Sequence, residues 1–310
     1  MSESLISQMS SGWSLKLAIP LVAGFAGIVL LIQSRRRLLG TTLVAPVMWA
    51  LISLITVTLL QTVTAGWELR SPATWNYLAA ATTLCPTMAV LGAKRPQDRG
   101  WQFIVASLWI VLALPAAQDL AFAPGGGFEL HPAWAWFLAL LITLGLLNYL
   151  PTRFAFSAVL ISLAQIILLE AQLPRLGLNL SNYQLFAIPL LTTGIAVVCW
   201  QVRAGVNRGG WPGVWLDFRN AFGSVWALRV AERMNQAART HRWPARFRWQ
   251  RIEPIDDASE GESVTSDHPL NDEMELSFRT LLRRFVSPEW IGERLGENST
   301  AAPSHSVDPD

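Results

Sequence analysis

The sequence predicts an all-α polytopic membrane protein with seven transmembrane helices, an outer N-terminus and a cytoplasmic C-terminus. Three observations lead to this prediction: a high apolar content, seven long apolar runs, and basic residues concentrated in alternate loops. Hydrophobic residues make up 52% of the 310 residues and charged residues only 15%, whereas about 25% of a typical soluble domain is charged. This composition excludes an ordinary soluble globular protein.

Each of the seven apolar runs is long enough to cross the membrane as a helix, which takes roughly 17 to 25 residues for an apolar core of about 30 Å. Helix is the expected state, because lipid cannot satisfy the backbone groups at an open strand edge and the runs are continuous rather than alternating. The seven runs span residues 13–32, 43–64, 75–91, 101–117, 133–150, 154–173 and 183–200.

The loops between the runs set the orientation, because basic residues favour the cytoplasmic side. One set of loops is strongly basic and contains Arg35, Arg36, Arg37, Lys94, Arg95, Arg99, Arg153 and the tail that starts at Arg203. The other set is mixed and contains Arg70, Arg175, Glu68, Asp119 and Glu129, with Lys16 near the N-terminal end. This contrast predicts an outer tail at residues 1–12, a seven-span bundle at residues 13–200, and a cytoplasmic C-terminus.

The basic residues also suggest a source. Among 24 basic residues only Lys16 and Lys94 are lysine, a bias typical of the arginine codons of GC-rich bacterial genomes. We therefore expect a multi-pass protein of the bacterial cytoplasmic (inner) membrane. Cys85 and Cys199 lie at different depths of their runs, roughly 10 Å apart, so both are expected to be free thiols.

The spans contain few groups that could perform chemistry. No Asp, Glu, Lys, Arg or His falls in the middle third of any run, which argues against proton-coupled transport and against haem held by paired histidines. An outer metal site would need Asp119, Glu129, His131 and Glu170 to converge, and their spacing matches no ligand motif. We therefore predict no catalytic residue, no cofactor and no metal site.

Two prolines interrupt apolar runs. Pro86 in the third run should free the carbonyl of Thr82 from helical hydrogen bonding, and Pro189 should do the same for Leu185 in the seventh. Broken helices can line substrate sites in transporters, although neighbouring hydroxyls more often satisfy the freed carbonyls. Thr82, Pro86 and Pro189 are the residues on which a permease function would depend.

A basic, aromatic segment follows the last run. Residues 211–251 contain eight Arg, five Trp and three Phe but only two acidic residues, and we assign residues 201–252 to an interfacial cytoplasmic segment. Helical spacing places four aromatic residues on one face, and Gly223 is expected to bend the helix beyond them. The predicted docking residues, for a membrane surface or a partner, are Trp215, Phe218, Phe222, Trp226, Arg229, Arg233 and Arg239.

The rest of the tail divides by composition. Residues 253–272 are acidic and rich in Pro, Ser and Gly, which predicts a disordered linker. Residues 273–296 should form an amphipathic helical segment in which Asn271 caps the first helix and Ser287 starts a second. Residues 297–310 are expected to be a disordered tail.

These features favour a non-enzymatic membrane anchor or accessory subunit whose cytoplasmic tail docks on anionic lipid or on a partner protein. Nucleic acid is a less suitable partner for a short basic stretch next to a membrane span. The alternative function is a permease for a small neutral or weakly polar solute, which would use the proline-interrupted third and seventh spans.

Overall fold

The computed structural model describes residues 2–66, 71–95, 98–122, 128–173, 185–204, 209–243, 245–254 and 270–297. The chain divides into two compact units. Unit 1 comprises residues 1–39 and 43–204, and unit 2 comprises residues 40–42 and 205–310. Most of the predicted acidic linker, residues 255–269, and most of the predicted tail, residues 298–310, lie outside the described residues.

All the regular secondary structure in the described part of unit 1 is helical. Its helices are α1 (Ser2–Arg37), α2 (Val44–Gly66), α3 (Pro72–Thr82), α4 (Cys85–Leu91), α5 (Asp98–Phe122), α6 (Pro132–Tyr149), α7 (Ala155–Leu168), a 3₁₀ turn at Glu170–Gln172, and α8 (Ala187–Ala204). Residues 2–12, which we expect to form an outer tail, are helical and continuous with the rest of α1.

Five helices in the described part of the chain are long and apolar enough to cross a membrane, namely α1, α2, α5, α6 and α8. Only 17–28% of the residues in each apolar window are buried within the protein. Large apolar side chains such as Val22, Phe25 and Phe103 are 69–77% exposed. A soluble protein rarely exposes apolar surface on this scale, so unit 1 is an all-α membrane bundle.

Neighbouring helices of unit 1 pack antiparallel, as contacts at two levels show for α2 with α3, α3 with α5 and α7 with α8. Helices α1 and α8, the first and the last, run parallel, because the residues that contact each other on them are separated by 169 or 170 positions. Thr192 Oγ1 donates to the carbonyl of Ala23 at 2.9 Å, and Arg203 Nη2 donates to Gln33 Oε1 at 3.2 Å. Gly27 makes this close packing possible, because a Cβ there would lie 2.7 Å from Leu54 on α2 and 2.9 Å from Thr192 on α8.

The broken helix formed by α3 and α4 lies in the interior of unit 1. Its buried residues run almost without interruption from Tyr77 to Ala89, and Tyr77 donates to the carbonyl of Leu112 on α5 at 2.7 Å. None of the large exposed hydrophobic side chains of the described chain belongs to α3 or α4. This helix pair is therefore covered by its neighbours, whereas the helices around it present apolar side chains outward.

Unit 2 is a small domain with an aromatic core. It contains α9 (Gly210–His241), an antiparallel hairpin of β1 (Ala245–Phe247) and β2 (Ile252–Pro254), α10 (Asp272–Leu282) and α11 (Pro288–Leu295). Residues 40–42 complete it, since Thr41 forms a bridge with Val286 and Thr42 N donates to the carbonyl of Phe285 at 2.9 Å. The domain is thus assembled from two distant parts of the sequence.

The ends of the two short helices follow the predicted caps. Asn271 Oδ1 accepts a hydrogen bond from the backbone N–H of Met274 at 3.0 Å, and Ser287 Oγ accepts one from Trp290 at 3.4 Å. Both caps satisfy amides that have no partner within the helix. The predicted starts of these helices are confirmed.

Candidate functional site

The predicted docking segment forms α9, and its aromatic residues lie inside unit 2. Trp215, Phe218 and Phe222 are fully buried, and Trp226 is 8% exposed. The predicted amphipathic helix has the expected apolar face, but side chains of the same domain cover that face. It is therefore a core helix of unit 2 rather than a helix with its aromatic face free for headgroups.

The residues that cover α9 come from far along the chain. Phe285 contacts three aromatic rings of α9, with centroid separations of 5.2 Å to Phe218, 5.3 Å to Phe222 and 5.0 Å to Trp226. Phe247 on β1 lies 5.3 Å from Trp215 in an edge-on arrangement. Ring pairs at such separations and angles add about 0.5–1.5 kcal/mol each beyond the burial of apolar area.

Gly223 interrupts α9 as predicted. Its φ of 77° and ψ of −175° are not helical, and a positive φ is one that glycine adopts at little steric cost. The chain direction changes there, so the helix has a first half that is mostly buried and a second half that is exposed on one side. The predicted bend at Gly223 is confirmed.

The exposed side of the second half of α9 is basic. Arg229, Arg233 and Arg239 are exposed, and so are Arg242 and Arg246 immediately after the helix. None of these five forms an ion pair with an acidic side chain in the described part of the chain. The guanidinium carbon of Arg229 lies 5.3 Å from the ring centroid of Trp226. The acidic residue on the same side of the helix is Glu232. We call these five arginines the basic surface.

The hairpin next to the basic surface has its own charge compensation. Glu253 accepts hydrogen bonds from Arg248 at 3.0 Å and from Arg251 at 2.8 Å. The hydrogen bond from Arg251 is the main reason that the pKa of Glu253 lies below its ordinary value. Because these two arginines are already paired, they contribute less to the positive potential than the five arginines of the basic surface.

Asn235 fixes the hairpin against α9. Its side-chain oxygen accepts from the N–H of Phe247 at 2.7 Å, and its amide nitrogen donates to the carbonyl of the same residue at 2.9 Å. Phe247 points into the core while Arg246, its neighbour on the strand, points outward. The clamp brings Arg246 to the same cleft as Arg239, a cleft of about 330 Å³ lined by Asn235, Ala238, Arg239 and Arg246.

The second predicted site, the interrupted third span, is a true break in the helix. Helix α3 ends at Thr82 and α4 begins at Cys85, so Pro86 occupies the first turn of a new helix. A proline is tolerated there because the amide it lacks would have no helical partner. The break leaves the carbonyls of Thr82 and Thr83 without donors from their own helix.

Side chains from two neighbouring helices satisfy those carbonyls. Ser53 on α2 donates to the carbonyl of Thr82 at 2.5 Å, and Gln165 on α7 donates to that of Thr83 at 2.9 Å. The threonine hydroxyls near the two prolines bond elsewhere: Thr82 and Thr83 to carbonyls of α3, and Thr192 to α1. Ser53, Gln165 and both threonines are buried. The polar side chains described at the break therefore hold the helices together.

Pro189 does not interrupt the seventh span. Helix α8 begins at Ala187, so Pro189 instead lies in its first turn, where no intrahelical hydrogen bond is lost. The structure therefore gives a permease function one broken helix to use rather than two.

The acidic and histidine residues at the predicted outer face do not converge on a metal site. His131 caps α6, with its Nδ1 accepting from the N–H of Ala133 at 3.2 Å, and Asp119 accepts from Thr74 Oγ1 at 2.5 Å. Among the described residues no three His, Cys, Asp or Glu side chains are close enough to hold a metal ion. Cys85 and Cys199 are both buried free thiols, as the sequence predicts.

No protein family matches this chain, and no curated protein or solved structure is significantly similar to it. Sequence reasoning missed the clamp of Asn235 and the outward position of Arg246. The alternation of Ala245, Arg246 and Phe247 is a weak strand signal that three residues are too few to make distinctive.

Proposed function

We propose that the protein is a non-enzymatic membrane anchor of the bacterial inner membrane whose C-terminal domain docks on anionic lipid headgroups through the basic surface. The observation that supports this is the composition of that surface: five exposed arginines without acidic partners in the described chain. One large apolar side chain, Leu228, is exposed on α9, at 58%. The docking is therefore electrostatic, without insertion into the apolar core.

A lipid surface suits this composition better than a partner protein does. The buried centre of a protein interface is depleted in charged residues and needs apolar or aromatic anchors. The aromatic residues of α9 are used in the core of unit 2, which leaves charge as the main property of the exposed side. Each arginine near an anionic leaflet contributes about 1 kcal/mol, so several together suffice for docking.

The membrane topology in this proposal has seven spans, with the N-terminus outside and the C-terminus in the cytoplasm. The distribution of basic loop residues supports it, and so does the antiparallel packing of the α3 and α4 pair against both α2 and α5. In this topology α3 and α4 together form the third span and α7 with its 3₁₀ turn forms the sixth. Only residues 205–209 separate α8 from α9 in the sequence, so unit 2 begins close to the cytoplasmic leaflet, where anionic lipids are found.

Docking can be measured as energy transfer between unit 2 and labelled headgroups. The full chain is reconstituted in nanodiscs, with a donor dye on Gln236→Cys and an acceptor on a lipid headgroup, after replacing Cys85 and Cys199 with alanine. We expect greater transfer in discs containing phosphatidylglycerol than in phosphatidylcholine discs. The double variant Arg229→Gln/Arg233→Gln should remove roughly 2 kcal/mol of docking, about thirtyfold in the equilibrium.

The matched control is Arg283→Gln/Arg284→Gln, which removes the same charge from exposed positions after α10. It should leave energy transfer nearly unchanged. Equal transfer in the two kinds of disc for the unmodified protein would refute anionic docking. An equal loss in both double variants would show that net charge, rather than the basic surface, governs the effect.

A further inference from the structure

We propose that the cleft between α9 and β1 is a binding site for a phosphate group, held by the guanidinium groups of Arg239 and Arg246. This site lies apart from Arg229 and Arg233 and does not depend on docking of the whole domain on a lipid surface. Its residues are brought together by folding, since Arg239 lies on a helix and Arg246 on a strand.

Hydrogen bonds within unit 2 hold the two sides of the cleft in place. The two hydrogen bonds between Asn235 and the backbone of Phe247 fix β1 against α9. Arg239 follows Asn235 by one helical turn, and Arg246 precedes Phe247 by one residue, so the clamp holds the Cα atoms of both arginines in a fixed relation. The small side chain of Ala238 leaves space between them, and the cleft measures about 330 Å³.

The chemistry of the lining indicates an oxyanion. Among the described residues that line the cleft, the two charged ones are arginine and none is acidic. The amide of Asn235 is already engaged by Phe247, so the guanidinium groups are the principal donors. Arginine presents a planar fork of N–H groups that matches phosphate oxygens in pairs. Two forks from different elements suit a tetrahedral group that can accept from several directions.

The position of the cleft at the C-terminal end of α9 opposes anion binding, and the size of this effect can be compared with that of the arginines. The helix end carries a partial charge equivalent to about −0.5. Two full positive charges outweigh it, and Arg242, exposed at the end of the same helix, adds a third positive charge nearby. Glu253 lies opposite Arg246 on β2 but is already paired with Arg248 and Arg251, so positive charge predominates at the cleft.

The phosphate could belong to a lipid headgroup or to a small soluble compound, and two measurements on the full-length protein separate these sources. In phosphatidylcholine nanodiscs, inorganic phosphate is titrated and binding is followed by broadening of its ³¹P resonance. In discs containing phosphatidic acid, the lipids retained by the released protein are counted by native mass spectrometry. Arg239→Gln/Arg246→Gln should weaken whichever signal is present by at least about tenfold.

Two variants make the result specific. Arg229→Gln/Arg233→Gln removes the same charge outside the cleft and should leave phosphate binding unchanged, although it reduces docking of the domain. Arg239→Lys/Arg246→Lys keeps the charge but removes the planar forks, so it should bind phosphate more weakly than the unmodified protein and more tightly than the glutamine variant. If the unmodified protein binds phosphate but does not dock on anionic discs, the proposed function is refuted and the proposal for the cleft stands.

A signal in only one of the two measurements identifies the source of the phosphate. The source is a soluble compound if inorganic phosphate alone binds, and a lipid headgroup if phosphatidic acid alone is retained. The proposal is overturned if neither probe binds, or if the glutamine variant of Arg239 and Arg246 binds as well as the unmodified protein. Both arginines are exposed, so the substitutions should not unfold the domain, and an unchanged circular dichroism spectrum checks this.

Discussion

Gly40 is the residue at which the loop after α1 joins the C-terminal domain. Its φ of 88° is in the left-handed region, and its carbonyl accepts a hydrogen bond from the N–H of Ser287 at 2.6 Å. A Cβ at position 40 would lie 2.7 Å from Ser287 Oγ, the atom that caps α11. A side chain here would therefore strain the backbone and displace a cap at the same time.

We expect Gly40→Ala to destabilise unit 2 by about 1–2 kcal/mol from backbone strain alone, with a further loss from the displaced cap of Ser287. Hydrogen exchange measured by mass spectrometry over α10 and α11 should show faster exchange in the variant. Gly296→Ala is the control, because its φ of 78° is also positive but a Cβ there would meet nothing within 4 Å. Identical exchange in the two variants would show that the contact with Ser287 does not matter.

At the level of elements, the sequence predicts features that depend on neighbouring residues but not contacts between distant parts of the chain. The caps at Asn271 and Ser287 and the bend at Gly223 depend on a few neighbouring residues, so the sequence reveals them. Helical periodicity also identifies the apolar face of α9, but it does not say what covers that face. Phe285 and Phe278 cover it from some 60 residues away, so burial in a domain core and burial in a membrane surface give the same pattern.

The break between α3 and α4 likewise has a local cause that the sequence reveals and long-range contacts that it does not. Pro86 marks the break in the sequence, but Ser53 and Gln165 could be recognised as its hydrogen-bond donors only once the helices were packed together. Inside a membrane no water is available to donate a hydrogen bond to a carbonyl without a partner. The hydrogen bonds from Ser53 and Gln165 therefore make the broken helix compatible with the membrane interior.

A double-mutant cycle can test the role of Ser53. Ser53→Ala should destabilise unit 1 by about 1–3 kcal/mol, because the buried carbonyl of Thr82 loses its donor. Pro86→Ala alone should have little effect, because Ser53 already donates to the carbonyl of Thr82. The alanine nevertheless adds an N–H four residues after Thr82, which can donate to this carbonyl once the serine hydroxyl is removed. The double variant should therefore recover much of the lost stability, measured as the thermal midpoint of the detergent-solubilised protein.

Thr143→Ala serves as the control for that cycle, because the hydroxyl of Thr143 is exposed and bonds within its own helix. Its thermal midpoint should match that of the unmodified protein. Strict additivity of Ser53→Ala and Pro86→Ala would mean that the serine does not act through the carbonyl of Thr82.

At the scale of the whole molecule, the number of membrane crossings is the central question. Five described helices meet the length criterion individually, whereas α3 and α4 are 11 and 7 residues long and α7 is 14. The alternation of direction along unit 1 supports counting α3 with α4 as one crossing and α7 as another. A helix that lies in the interior can be short or broken, because its neighbours face the lipid in its place.

Cysteine accessibility distinguishes seven crossings from five. With seven, Arg95 and Pro151 lie in the cytoplasm and Glu129 outside; if α3 with α4 and α7 did not cross, all three positions would be reversed. In a background without Cys85 and Cys199, a membrane-impermeant maleimide applied to intact cells should label Glu129→Cys. It should label Arg95→Cys and Pro151→Cys only after permeabilisation, and the opposite pattern would establish five crossings. Arg36→Cys is the internal control, since both topologies place it in the cytoplasm and it should stay unlabelled in intact cells.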